Sequence, residues 1–261
     1  MNSRAWLSYY QRNPDTWIDP EWYVPTPLDQ KTKSALAFSL SHFQLGESGE
    51  GSFLFAQARK QAPEDAAYHR ALELFIAEEH AHACLLEQLV HRFGGETINR
   101  HWTHALFRLI RRAFGLNFEL QVLVIAELVG TAYYRLLHAR ARDHVLEQVC
   151  DRILRDESRH IDFHADWLGD LQLRLLPLER AAWSAQFQIL FAVAVQIAWI
   201  DHRRCLVATG ANRTEFFREA RRECIHFLQQ LDRISFANFA NWRDLSFGFP
   251  SGASEDLRKS V

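Results

Sequence analysis

The sequence has few of the residues that mark several large protein classes. Its 261 residues include only four cysteines, and no two of these form a Cys-x-x-Cys pair. This pattern disfavours a disulfide scaffold and predicts a reduced, cytoplasmic protein. Glycine (11) and proline (7) are scarce, which disfavours all-β folds with many tight turns. The 30 basic and 32 acidic side chains nearly cancel, so the chain lacks the basic excess of a nucleic-acid-binding protein.

Signals for export and membrane insertion are also weak. The first residues include no apolar stretch of the kind found in secretory signals. The longest apolar stretch, residues 181–200, has the length of a membrane span, but serine and glutamine side chains interrupt it. We therefore expect a buried or interface helix there and no membrane span.

Helical periodicity dominates the chain from about residue 32 onward. We predict helices near 29–60, 63–95, 104–114, 117–141, 143–173, 177–210 and 214–234. Residues 1–30 hold several prolines and tryptophans and predict an extended arm. The predicted fold is all-α and forms a single domain: this arm, a four-helix bundle over 31–175, and additional helices with a polar tail over 176–261.

One motif stands out within the predicted helices. Glu-x-x-His occurs three times, at Glu79/His82, Glu157/His160 and Glu223/His226. A single match means little in a chain with 18 glutamates and 13 histidines. However, Glu50 precedes Glu79 by 29 residues, and Glu127 precedes Glu157 by 30. The third match has valine at the corresponding position, and we interpret it as an ordinary solvated helix face.

The matched spacing predicts that the acidic residues converge. With a rise of about 1.5 Å per residue, a helical hairpin brings positions about 30 apart back to the same height. Residues three apart share a helix face, so each Glu-x-x-His can present both side chains together. Glu127 also lies within the apolar run 123–130, where a carboxylate is costly to bury unless it is paired or binds metal. Glu47 is an alternative to Glu50, although its spacing to Glu79 is 32.

These features resemble the ferritin-like di-iron carboxylate superfamily, in which Glu…Glu-x-x-His is repeated across a four-helix bundle. The resemblance covers about residues 32–170 and is strongest at Ala77–His82 and Arg155–His160. It implies a ferritin-like bundle around two iron ions, with a manganese–iron pair as an alternative. The implied ligands are Glu50, Glu79, His82, Glu127, Glu157 and His160.

The resemblance also implies supporting residues. In oxygen-activating members an aspartate precedes the motif glutamate and supports a histidine of the opposite hairpin; here it would pair Asp156 with His82. Glu78 would support His160 in the same way. His164 is either an additional ligand or a core histidine, and Tyr134 either lines the pocket or packs in the core.

By this resemblance we expect an O2-dependent non-haem di-iron oxidoreductase: an oxygenase, desaturase or N-oxygenase. Its substrate would be a small apolar or amphipathic organic molecule, and O2 would be the co-substrate. An electron donor such as ferredoxin or a flavin reductase is implied, and a homodimer is a further expectation. One alternative is a ferroxidase or other iron-handling ferritin-like protein. The second is a metal-free helical interaction protein.

Overall fold

The computed structural model describes residues 2–111 and 115–246, without the side chains of 108, 110, 111 and 235–246. These residues form nine α-helices and a short 3-10 turn, Asn13–Thr16. The helices are α1 Ser3–Arg12, α2 Gln30–Glu47, α3 Ser52–Gln61, α4 Ala66–Arg92, α5 Trp102–Arg111, α6 Leu116–Arg140, α7 His144–Arg174, α8 Pro177–Ala208 and α9 Arg213–Ser246. Within these residues there is no β-strand, so the all-α prediction is confirmed. The prediction of a loop-like polar tail after Asn241 is wrong up to Ser246, where α9 ends; the rest of that tail and the last residues of the predicted helix 104–114 lie outside the described residues.

Aspartate side chains begin three of the long helices. Asp29, Asp65 and Asp143 each accept a hydrogen bond from the backbone N–H three residues later, at the start of α2, α4 and α7. Such a cap satisfies one of the free N–H groups at a helix start and contributes about 1 kcal/mol. The starts of the helices that carry Glu47, Glu79 and Glu157 are therefore set by local sequence.

Two helical hairpins form the bundle that surrounds the site. Helix α2 packs along α4 and α6 packs along α7, while α4 and α7 also contact each other. Helix α6 is buried on nearly all sides, in agreement with its almost uninterrupted apolar sequence. Helices α8 and α9 pack against α2, α6 and α7.

The N-terminal segment differs from its predicted form. The prediction of an extended arm is wrong for Ser3–Arg12, which is helix α1. Its buried residues Ser3, Trp6 and Tyr10 recur at helical spacing, a signal hidden by the nearby prolines. Helix α1 packs on α4, and the Trp6 indole N–H donates to Asp166 of α7 at 2.7 Å.

The predicted single helix over 29–60 is also wrong. Helix α2 ends at Glu47 and α3 begins at Ser52. Gly51 has a φ of +62°, and a Cβ at this position would clash with Ile76 of α4. Three glycines within residues 46–51 therefore interrupt the helix. This glycine cluster is the sequence feature that could have predicted the break.

Two helices, α6 and α8, are long and apolar enough to cross a membrane by length and composition. Helix α6 is a core helix of the bundle, which fits a soluble protein. The apolar stretch of α8 is mostly exposed, with Ile189, Val193 and Ile200 more than half exposed. That α8 does not span a membrane therefore remains a prediction from the sequence.

Candidate metal centre

Four side chains from two facing helices form a compact cluster in the bundle. Glu79 and His82 come from α4, and Glu157 and His160 come from α7. One potential ligand atom of each lies within 4.8 Å of those of the others. His82, Glu157 and His160 are buried, whereas the Glu79 side chain is 17% exposed. This cluster has the donor types and the geometry to hold a metal ion.

Each histidine of the cluster is oriented by a carboxylate from the opposite hairpin. His82 Nε2 lies 3.0 Å from Asp156 Oδ2, and His160 Nε2 lies 3.0 Å from Glu78 Oε2. Both carboxylates are buried. These are the two pairings that the resemblance implied. A hydrogen bond from one ring nitrogen to a carboxylate fixes the ring and leaves the other nitrogen free to bind metal.

The second ring nitrogens face the cluster carboxylates without making hydrogen bonds. His82 Nδ1 and His160 Nδ1 are both buried and lack a hydrogen-bond partner. His160 Nδ1 is 2.8 Å from Glu79 Oε1, but the two atoms are not aligned for a hydrogen bond. His82 Nδ1 is 3.6 Å from Glu157 Oε1. Buried nitrogen and oxygen atoms that converge without bonding each other fit a metal ion as their shared partner.

Two further carboxyl groups complete the acidic set. Glu127 of α6 interacts with Glu157, and Glu47 at the end of α2 interacts with Glu79. Burial raises the pKa of Glu127 well above its usual range, and the charge of Glu157 raises it further. Burial and the charge of Glu79 likewise raise the pKa of Glu47. In each hairpin, burial and a neighbouring carboxylate thus favour the protonated form of one glutamate, Glu47 or Glu127.

The remaining charges of the cluster are compensated by the histidines. Burial alone would lower the pKa of His82, but its hydrogen bond to Asp156 and the charge of Glu157 raise it to about 9. The pKa of His160 is raised well above its usual range, because Glu79 and Glu78 outweigh burial. The imidazolium of His160 in turn lowers the pKa of Glu79. These shifts all favour the charged forms of the two histidines and of Glu79.

The structure places Glu47, and not Glu50, beside the cluster. Glu50 lies in the link between α2 and α3 and is exposed. The choice of Glu50 assumed one continuous helix and a short turn, but α2 stops at Glu47 and α3 separates it from α4. The equal-spacing argument therefore does not bring Glu50 to Glu79 in this hairpin, whereas in the other hairpin Glu127 does lie beside Glu157.

Two predicted accessory residues lie at the edge of the cluster. His164 is buried, and its Nε2 has no hydrogen-bond partner and lies 3.9 Å from Glu127 Oε1. Burial lowers the pKa of His164 to about 4, so it is neutral near pH 7 and able to bind metal. Tyr134 is buried, packs on Phe43, and lines the cavity described below.

The sequence interpretation missed one buried contact with the site. The Asn13 side-chain amide donates to Glu78 Oε1 at 2.8 Å and to Asp156 Oδ1 at 3.0 Å. Asn13 therefore joins the two carboxylates that orient the histidines. It lies outside the bundle helices, in the N-terminal segment, and nothing in its local sequence indicates this role.

The third Glu-x-x-His pair lies apart from the cluster. Glu223 forms an ion pair with Arg135 at 3.1 Å, and His226 is exposed. His226 agrees with the interpretation as a solvated helix face, but for Glu223 that interpretation is wrong, because its side chain is buried and paired with Arg135.

A cavity of about 340 Å³ adjoins the carboxylates. Its wall includes apolar side chains of α6 and α8, such as Val122, Ile125 and Leu190. The four carboxylates of the site all contribute to its lining: Glu47, Glu79, Glu127 and Glu157. A small apolar molecule could therefore lie next to the candidate metal centre.

Comparisons with known proteins give no match: no family model, no curated protein and no solved structure is similar to this chain.

Proposed function

We propose that the protein is an O2-dependent non-haem di-iron oxidoreductase that acts on a small apolar or amphipathic substrate. The observation that carries this proposal is the pair of buried histidines, His82 and His160. Each has its Nε2 fixed by the opposite hairpin and its Nδ1 left without a hydrogen bond among carboxylates. This arrangement supports the resemblance to the ferritin-like di-iron carboxylate proteins.

The charge of the donor set favours two metal ions over one. Four ionised carboxylates and two neutral imidazoles carry a charge of −4, which two divalent cations cancel. With a single cation, two of the carboxyl groups would have to keep their protons, because uncompensated charge is costly in a protein interior. We infer a pair of iron ions bound by Glu47, Glu79, His82, Glu127, Glu157 and His160. A manganese–iron pair offers the same charge.

The cavity favours an oxidoreductase over an iron-handling protein. An iron-storage site needs a polar path for hydrated ions, whereas this cavity has apolar side chains of α6 and α8 beside the carboxylates. A dry wall of this kind binds an apolar substrate and keeps bulk water from the reacting atoms.

When bound, a di-ferrous pair would supply two electrons for the reduction of O2. The chain would contribute the position of the substrate in the cavity and the fixed orientation of both imidazoles. In a hydroxylation, one oxygen atom would enter the substrate and the other would leave as water: the C–H bond gives two of the four electrons that O2 accepts, the iron pair would give the other two, and two protons are consumed. An external donor would then have to return two electrons to the iron pair. We propose that a ferredoxin or a flavin reductase supplies these electrons. The four cysteines are all free, which supports a cytoplasmic location.

Metal content of matched variants tests this proposal. The metal-free full chain is given ferrous iron under anaerobic conditions, and the bound iron is counted per chain. We expect about two ions in the unaltered protein. We expect fewer than one in Glu127→Ala and His160→Ala, because each loses a donor to the shared centre. On exposure to O2, only the loaded unaltered protein should show a transient absorbing species.

The pair Glu47→Ala and Glu50→Ala is the matched control. Both changes remove a glutamate near the end of α2, but only Glu47 lies beside Glu79. Glu50→Ala should keep full iron content, whereas Glu47→Ala should lose iron. Iron uptake far above two ions per chain would shift the function to storage. Unchanged iron in Glu127→Ala and His160→Ala would refute the metal centre.

A further inference from the structure

A second group of metal-binding side chains lies at another part of the same cavity. His42 belongs to α2, His101 directly precedes α5, and Asp201 belongs to α8. One potential ligand atom of each lies within 4.8 Å of the others. His42 and Asp201 line the cavity, as do the carboxylates of the candidate di-iron centre. His42 precedes Glu47 by five residues, a rise of about 7.5 Å along α2, so the two groups are separate.

The two imidazoles of this group lie close together, although histidines would repel each other if both were protonated. Their rings stack with centroids 3.9 Å apart and planes 24° from parallel. His101 Nδ1 is 3.6 Å from Asp201 Oδ2. His42 Nδ1 is buried and has no hydrogen-bond partner. Burial and the nearby His101 lower the pKa of His42 to about 4, so its ring is neutral and has a lone pair available at pH 7.

Neighbouring side chains hold the group in place. Thr103 Oγ1 is 2.6 Å from His101 Nδ1. His202 lies edge-on to His42, with centroids 5.8 Å apart, and its Nδ1 is 2.8 Å from Ser39 Oγ. Hydrogen bonds around the ligands restrict the orientation of the rings, as they do around known metal sites.

We propose that His42, His101 and Asp201 bind a single divalent transition-metal ion, separate from the di-iron centre. Two imidazoles and one carboxylate are donors that suit Zn²⁺, Co²⁺ and Fe²⁺. Three protein ligands leave a coordination position open, and the cavity lies beside it. An anionic group of a molecule in the cavity, such as a carboxylate, would fit this position.

Zinc stoichiometry of the metal-free full chain tests the second site. The protein is equilibrated with Zn²⁺, freed of excess metal and analysed for bound zinc. We expect about three ions per chain in the unaltered protein and about two in His101→Ala and Asp201→Asn. His226→Ala, which removes an exposed histidine of α9, should keep three. Circular dichroism of each variant checks that the helical content is unchanged.

A further variant separates this proposal from the di-iron proposal. His160→Ala should lose zinc from the di-iron centre but keep the ion that His101→Ala removes. If His101→Ala and Asp201→Asn bind as much zinc as the unaltered protein, the second site is refuted, whatever His160→Ala does. If His101→Ala loses one ion and His160→Ala loses none, the second site stands and the di-iron centre is refuted.

Discussion

The two hairpins supply equivalent donors but differ in how they are built. In the α6/α7 hairpin both helices are continuous, and Glu127 lies in the middle of the buried helix α6. In the α2/α4 hairpin α2 stops at Glu47, and a short third helix intervenes before α4. Glu127 and Glu157 are buried, whereas Glu47 and Glu79 are partly exposed.

The break between α2 and α3 also affects the cavity beside the carboxylates. Gly49 and Gly51, which lie between α2 and α3, also line the cavity. The break in the helix therefore opens space beside the carboxylates that a continuous helix would fill. The α2/α4 hairpin thus contributes both side chains and the link between α2 and α3 to the cavity, whereas the α6/α7 hairpin contributes side chains of continuous helices.

The largest expected effect is on the stability of the metal-free protein as a function of pH, to which titratable groups of both hairpins contribute. Without metal, His82 has a pKa raised to about 9, so its stabilisation is complete below 6.5 and is lost as the pH rises through 9. Glu47 and Glu127 have raised pKa values, so ionising them above 4.5 also destabilises the fold. The lowered pKa values of His42, His164 and His202 act in the opposite sense, but their contribution is complete above about pH 6.5. The metal-free protein should therefore lose stability from about pH 7 to 9. The His82 shift alone corresponds to about 3 kcal/mol, at about 1.4 kcal/mol per pKa unit.

Urea denaturation at a series of pH values, with and without bound metal, measures this effect. Glu79 and Glu157 have lowered pKa values, so their contribution is lost only below 4.5 and does not disturb this range. Metal replaces the protons, so the loaded protein should keep its stability up to pH 9 and should release protons on loading. A metal-free stability that rises with pH over this range would contradict the charge assignment.

The next effect compares the residues that orient the histidines. Asp156→Asn and Glu78→Gln each remove the negative charge beside one Nε2 while keeping the side-chain size. Each should weaken metal binding by about 10- to 100-fold, the usual cost of losing such a partner. We expect the larger loss in Asp156→Asn, because Asp156 is fully buried and its carboxylate also faces the Arg152 guanidinium, 4.0 Å away.

Metal dissociation constants from competition with a chelator measure both losses. Glu73→Gln is the control, because Glu73 lies on the same helix as Glu78 but pairs with Arg70 at the surface. An affinity that stays unchanged in both Asp156→Asn and Glu78→Gln would show that these carboxylates do not support metal ligands.

Sequence spacing was a better guide to the α6/α7 hairpin than to the α2/α4 hairpin, because only the first has two continuous helices. Spacing alone placed Glu127 because α6 and α7 are joined by a short turn, so sequence distance reports height along the helices. It favoured Glu50, which the structure places in the exposed link after α2, because glycines end α2 and sequence distance no longer reports height beyond that point. Asn13 could not be found in this way, because its contacts lie 65 and 143 residues away along the chain.

The smallest effect on metal affinity is expected for Asn13, which contacts both hairpins at once. Asn13→Ala removes hydrogen bonds to two buried carboxylates, Glu78 and Asp156, and should lower the free energy of unfolding by about 1–3 kcal/mol. Metal affinity should fall less than tenfold, because both carboxylates still hold their histidines. Asn2→Ala is the control, since it removes the cap of α1 but does not touch the site. If Asn2→Ala weakens metal binding as much as Asn13→Ala does, the docking of α1 matters to the centre and the Asn13 amide does not.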